Sequence, residues 1–288
     1  MRPAGRKPEW LKKRIPNFGE VQATAGLLKA LSLNTVCDGA KCPNRGECFS
    51  QKTATFMILG GFCTRQCQFC AVFKGEPEAV DPMEPANIGL AAQKLGLKHV
   101  VVTSVTRDDL PDGGAAQFAS TVHEIRRQNP AATIELLIPD LKGNWEALGV
   151  ILDARPDVLN HNIETVPSLY SKVRPEAEYR RSLELLRRVK ELHPGIYTKS
   201  GLMLGLGETE AEVYQVMDDL RAVDCDVLTI GQYLQPSSQH LAVEEYIHPD
   251  QFETYKNVAE SKGFLHVSSA PFVRSSYHAS MDWLTVSP

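Results

Sequence analysis

The run Thr55-Phe-Met-Ile-Leu-Gly-Gly-Phe62 leads directly into Cys63-Thr-Arg-Gln-Cys67-Gln-Phe-Cys70. The apolar run reads as a buried strand, and its two glycines as the turn that ends it. Three cysteines follow, with three and then two residues between them. Three thiolates in one short loop can each bind one iron of a cubic cluster, leaving the fourth iron open or held from elsewhere. That open position separates the loop from a structural zinc site, which closes with four ligands and prefers paired Cys-x-x-Cys spacing.

A second triad lies upstream, in Cys37-Asp-Gly-Ala-Lys-Cys42-Pro-Asn-Arg-Gly-Glu-Cys48. Six of the seven cysteines therefore fall within residues 37–70. An odd number bunched in this way fits metal ligation in a reducing compartment better than a secreted disulfide framework. Cys225 stands alone in the apolar run Val223-Asp-Cys-Asp-Val-Leu-Thr-Ile230 and reads as a small core residue.

Beyond the first strand (53–59), strand-like and helix-like runs alternate. The expected strands are 99–105, 133–138, 157–165, 197–204, 226–234 and 264–267. Expected helices occupy 86–95, 113–129, 144–152, 179–193, 209–223 and 250–262, with apolar residues at helical spacing. Asn144 is the candidate N-cap of the third. Such alternation implies parallel strands with right-handed crossovers, and six units rather than eight suit a partial (β/α)6 TIM-like barrel. Residues 1–52 lack the pattern and are taken as an N-terminal extension carrying the first triad. Residues 53–270 form the barrel, and 271–288 a C-terminal extension. Ligands of such sheets lie at the carboxyl ends of the strands. The expected strands place Ser104, Asn162, Glu164, Lys199 and Gln232 there.

The chain has 288 residues, 43% of them apolar and 23% charged, as in an ordinary globular protein. A net charge of −4 argues against a general nucleic-acid binder. No apolar run approaches the ~20 residues needed to span a bilayer. Arg2, Arg6, Lys7, Lys12, Lys13 and Arg14 make a basic arm, interrupted by prolines and followed by no apolar stretch. It is no secretory signal, and a cytoplasmic location is expected. The arm reads either as a contact for an acidic partner or as a solvated tail.

The C-x3-C-x2-C loop behind an apolar strand, with Phe69 directly before the last cysteine, resembles the signature of the radical S-adenosylmethionine superfamily. The upstream C-x4-C-x5-C triad, together with Arg274-Ser-Ser-Tyr277, narrows the resemblance to the lipoyl synthases. It extends from Arg6-Lys-Pro-Glu-Trp-Leu-Lys12 to His278. Another radical enzyme with an auxiliary cluster, or a zinc-stabilised binding protein, would share part of this pattern.

The resemblance implies two 4Fe–4S clusters. Cys63, Cys67 and Cys70 would hold one, whose open iron takes the amino and carboxylate groups of S-adenosylmethionine; reductive cleavage then yields a 5′-deoxyadenosyl radical. Cys37, Cys42 and Cys48 would hold the other, with Ser276 as fourth ligand. Serine oxygen is a hard, weak partner for iron, which suits a cluster that is dismantled as the sulfur source. The implied reaction inserts two sulfurs at C6 and C8 of a protein-bound N6-octanoyl-lysine. Implied partners are octanoylated lipoyl carrier domains (2-oxoacid dehydrogenase E2, glycine cleavage H protein) and an electron donor such as ferredoxin or flavodoxin.

Motif matching also suggests S-adenosylmethionine contacts at Ser104 (amine), Asn162 and Glu164 (ribose), and Arg174 (carboxylate, bidentate). A core hydrogen-bond network at 162–164 and a surface salt bridge at Arg174 are the alternatives. Thr106-Arg-Asp-Asp-Leu-Pro-Asp-Gly-Gly114 reads as a tight loop over the barrel mouth or as a solvated turn.

Overall fold

The computed structural model describes residues 7–13 and 18–280, so Arg2, Arg6 and Arg14 of the basic arm lie outside the described residues. The chain divides into two compact units. One comprises Ile15–Arg65 and Ala71–Leu159; the other comprises Met1–Arg14, Gln66–Cys70 and Asn160–Pro288.

In the first unit, β1 (Asn34–Thr35) pairs antiparallel with β2 (Thr55–Ile58). A two-residue parallel ribbon, β3 (Phe62–Cys63) with β4 (Phe73–Lys74), brackets the rest of the cysteine loop. β5 (His99–Ser104) lies parallel to β2, and β6 (Thr133–Leu137) parallel to β5. Helices Glu84–Leu95, Ala115–Gln128 and Trp145–Asp153 follow in turn, as the periodicity predicts. Asn144 caps the last through a bond from the Ala147 amide to Oδ1 at 3.1 Å. Phe118, Val122 and Ile125 are fully buried, each contributing about 1.5–3 kcal/mol of apolar transfer. The segment before residue 52 is richer than expected. It holds helices Phe18–Ala30, Val36–Gly39 and Arg45–Ser50 besides β1.

β7 (Val158–Asn160) ends at the boundary between the units. The second unit holds β8 (Tyr197–Leu204), β9 (Val227–Gln232) and β10 (His266–Ser269), paired parallel in that order. Its long helices are Tyr179–Leu192, Glu210–Arg221 and Pro249–Ser261, after the short helix Tyr170–Val173. Thr209 and Glu212 form a reciprocal capping box at the start of the second. Cys225 is fully buried, and burial pushes its thiol up to about 12. Lys13 does not hang free: its ammonium lies 5.0 Å from the ring centre of Tyr277.

Two expectations need correction. β7 stops at Asn160 rather than running to residue 165. Glu164 takes the left-handed conformation (φ 66°), which a strand cannot contain, and keeps only an isolated bridge to Leu202. Lys199 is buried near the start of β8, so it does not stand at a carboxyl end.

Candidate functional site

The cysteine loop begins where β2 ends. Leu59 (φ 71°) and Gly60 (φ 94°) turn the chain, and the Leu59 amide donates to the buried Glu84 carboxylate at 3.0 Å. The Thr106 amide donates to Cys63 Sγ at 3.3 Å, and Thr64 is doubly bonded to the Thr106 carbonyl. A thiolate accepting an amide hydrogen bond is the electronic setting that tunes iron–sulfur potentials.

Gln66–Cys70 belongs to the second unit, where it is bonded by residues 173–176 and 240–241. The Gln66 amide donates to Glu176 Oε2 (2.5 Å), and the Gln68 amide to the Val173 carbonyl (2.9 Å). Leu241 N donates to the Gln68 carbonyl (3.2 Å), and His240 Nε2 stands 3.1 Å from the Cys70 carbonyl. Phe69 packs on Val173, Leu206, Tyr233 and Val243. The aromatic residue before the last cysteine thus anchors the loop in an apolar cluster.

In the upstream triad Cys37 is buried, while Cys42 and Cys48 are half-buried. Burial pushes the Cys37 thiol up to about 11, against the opposing bond with Thr55. Such a thiol is inert toward ordinary electrophiles and ionises only for a strong Lewis acid. All seven cysteines are free thiols. Among the described residues, no group of three or more His, Cys, Asp or Glu side chains is gathered into a metal-binding arrangement. The donors nevertheless fit iron chemically, being soft thiols, with backbone amide hydrogen bonds at Cys63 and Cys37.

Three of the four expected S-adenosylmethionine residues carry an unmatched buried atom. Ser104 Oγ, Asn162 Oδ1 and Arg174 Nε are buried atoms without a hydrogen-bond partner, as is Thr165 Oγ1. Buried polar atoms left unmatched cost about 1–3 kcal/mol each, so those of Asn162, Thr165 and Arg174, all in the second unit, fit a polar ligand. Asn162 Nδ2 donates to Glu164 Oε1 at 3.1 Å and to Ser275 Oγ at 2.7 Å. Arg174 Nη1 donates to the carbonyls of Asn162 (2.9 Å) and Ile163 (3.2 Å). Burial pushes the Glu164 carboxyl up, against the pull of Arg174, Asn162 and Arg274. A non-glycine residue at positive φ stores backbone strain of order 1–3 kcal/mol, here within the same cluster of polar groups. Gln232, also expected at this end, is instead fully satisfied. It donates to the carbonyls of Leu204, Tyr233 and Glu245 and accepts from Ile247 N, fixing the loop behind β9.

Sequence reasoning missed the carboxylates that hold this frame. Asp108 and Asp140 grip Arg65, and Asp109 grips the buried Arg107, whose Nη1 donates to the Leu59 carbonyl at 3.3 Å. Burial alone would lower the Arg65 pKa, but the bonds to Asp108 and Asp140 outweigh it and raise it. The acidic run at 108–109 was the available signal. Both carboxylates partner buried arginines from within a turn, and Asp109 is itself exposed there.

The family model for the radical SAM superfamily matches residues 57–220, more than half of the chain. Fold and cysteine loop together define a radical S-adenosylmethionine protein. Solved structures with the same fold include a methylornithine synthase (TM-score 0.54, 14% identity, 88% of this chain and 84% of that one). Another is Streptococcus suis SuiB bound to S-adenosylmethionine (TM-score 0.57, 13% identity, 85% of this chain and 58% of that one). A lipoyl synthase of Caldanaerobacter subterraneus subsp. tengcongensis is 59% identical over 274 residues, covering 95% of this chain and 96% of that protein. One from Pelodictyon phaeoclathratiforme is 57% identical over 276 residues, covering 96% and 94%. The chain belongs to the lipoyl synthase family.

Proposed function

We propose that this chain inserts two sulfur atoms, at C6 and C8, into an N6-octanoyl-lysine borne by a lipoyl carrier domain, completing the lipoyl cofactor. The observation that carries this reading is the pair of cysteine triads and the Arg274-Ser-Ser-Tyr277 motif within one chain of this family. When bound, S-adenosylmethionine on a reduced 4Fe–4S cluster supplies the hydrogen-abstracting radical, and a second 4Fe–4S cluster supplies sulfur.

The chain's own residues bind and orient. Cys63, Cys67 and Cys70 are assigned as ligands of the radical cluster, and Cys37, Cys42 and Cys48 with Ser276 as ligands of the auxiliary one. Ser276 is the better of the two candidate serines because Ser275 already accepts from Asn162, whereas the Ser276 hydroxyl makes no hydrogen bond among the described residues. Ser104, Asn162, Glu164 and Arg174 are assigned to S-adenosylmethionine, supported by the unmatched atoms on three of them. Apolar side chains around the reacting carbons would exclude water and keep the radical from quenching. Carriers of the E2 and H-protein type and a ferredoxin- or flavodoxin-type reductant complete the proposal. Among the described residues, no helix is long and apolar enough to cross a membrane.

The test is one anaerobic turnover with an octanoyl-lysine peptide, S-adenosylmethionine and reductant, read by mass spectrometry. A product carrying two added sulfurs, with 5′-deoxyadenosine alongside, is expected. Deoxyadenosine without sulfur gain would remove lipoyl formation and keep the radical chemistry.

A further inference from the structure

Arg65 lies midway between Cys63 and Cys67, and its side chain is only 3% exposed. Nε and Nη2 donate to the two oxygens of Asp108 at 2.8 and 3.0 Å, a bidentate pair. Nη2 also reaches Asp140 Oδ1 at 2.6 Å. Asp140 is completely buried, and its Oδ1 accepts the Lys142 amide as well. Asp108 comes from the turn after β5 and Asp140 from the segment after β6, so one guanidinium ties the Cys63 end of the cysteine loop to two strand ends of its own unit. Thr64 adds a backbone tie, because the Asp108 amide donates to its hydroxyl at 3.1 Å. The Lys142 ammonium, 3.5 Å from Asp108, faces the same group from the surface.

Burying a charged group is unfavourable unless its partners fully match it, and buried pairs seldom add net stability over apolar packing. Loops that carry ligands are mobile unless something fixes them. Here a buried, doubly matched arginine sits inside the segment that must present thiols in fixed geometry. We propose that Arg65, gripped by Asp108 and Asp140, is a positioning residue that seats the radical-cluster cysteines. The inference rests on the cluster assignment given above. Arginine is required because only its planar fork engages Asp108 bidentately while a third bond reaches Asp140.

The experiment compares anaerobically reconstituted full-length wild type, Arg65→Lys, Arg65→Met, Asp140→Asn and the Arg65→Met/Asp140→Asn double variant. Iron content, the electron paramagnetic resonance spectrum of the reduced protein with and without S-adenosylmethionine, and the unfolding midpoint are recorded. Wild type should hold about eight irons and Arg65→Met about four, keeping the auxiliary cluster and losing the spectral change on S-adenosylmethionine addition. Arg65→Lys should load both clusters with an altered radical-cluster spectrum. The double variant should lose no more iron than the worse single one, as expected for residues acting as a unit. Wild-type spectra in Arg65→Lys or Arg65→Met would overturn the proposal. So would equal loss of both clusters with a lowered unfolding midpoint, which would mark a general folding role. A wild type that takes up no iron would instead remove the functional reading itself.

Discussion

Asn162 Nδ2 donates to Ser275 Oγ at 2.7 Å, so the serine beside Ser276 is engaged within the polar cluster of the second unit. The two serines should separate on mutation. Ser276→Ala should lose sulfur insertion while still cleaving S-adenosylmethionine. Ser275→Ala should keep sulfur insertion and weaken S-adenosylmethionine binding about three- to tenfold, the worth of one hydrogen bond that orients Asn162. Product mass and binding titrations read the two effects. The reverse pattern would move the iron ligand to Ser275.

The periodicities made most of the framework legible. Residues 99–104 form a strand within one residue of the expected bounds because a short buried run of β-branched residues reads as a strand. Failure came where local geometry departs from regular structure. The alternation Asn162–Ile163–Glu164 reads as a strand, yet Glu164 turns left-handed and bonds back to β8. Asn162 and Glu164 nevertheless meet, through a hydrogen bond. Arg65, Asp108 and Asp140 were invisible as a set, since an ion triad between distant loops leaves no periodicity. The cysteine spacings pointed to cluster chemistry, whereas the unmatched atoms of Ser104, Asn162 and Arg174 can be found only in three dimensions.

The two triads should fail differently. Cys67→Ala should abolish deoxyadenosine formation, because one of three ligands at the radical cluster is gone. Cys42→Ala should leave some deoxyadenosine formation and abolish sulfur insertion. Lipoyl product from the Cys42 variant would end the assignment of the upstream triad to the sulfur donor.

Glu84 provides a pH test. It is buried, and burial raises its carboxyl above the ordinary value, against the bonds from Leu59 N and Gln117. The folded state therefore binds this proton more tightly than the unfolded state does. The Glu84 contribution to stability is greatest below the ordinary carboxylate value and falls as pH rises through the window up to the raised one. Glu84→Gln removes that titration. Denaturant unfolding should show the variant gaining on wild type as pH rises through this window and holding a constant difference above it. A difference flat across pH would show that burial does not control this carboxyl.

Gly201 decides whether Asn162 serves the cofactor. On β8, an added Cβ would stand 2.7 Å from Asn162 Oδ1 and 2.9 Å from Thr229 Oγ1, both closer than side chains tolerate. Gly201→Ala should therefore push the Asn162 amide off its position while the strand, whose φ suits alanine, stays paired. Asn162 Oδ1 is one of the unmatched buried atoms, so its displacement should weaken S-adenosylmethionine binding by about tenfold or more, the worth of a hydrogen bond to a charged or well-matched ligand group. Overpacking should lower stability by about 1–3 kcal/mol, so binding is measured well below the unfolding midpoint. Gly149→Ala is the control. It lies within helix Trp145–Asp153, where an added Cβ meets nothing within 4 Å, and should raise stability by about 0.5–1 kcal/mol without changing binding. Unchanged affinity in Gly201→Ala would separate Asn162 from S-adenosylmethionine and leave its bonds to Glu164 and Ser275 as a structural network.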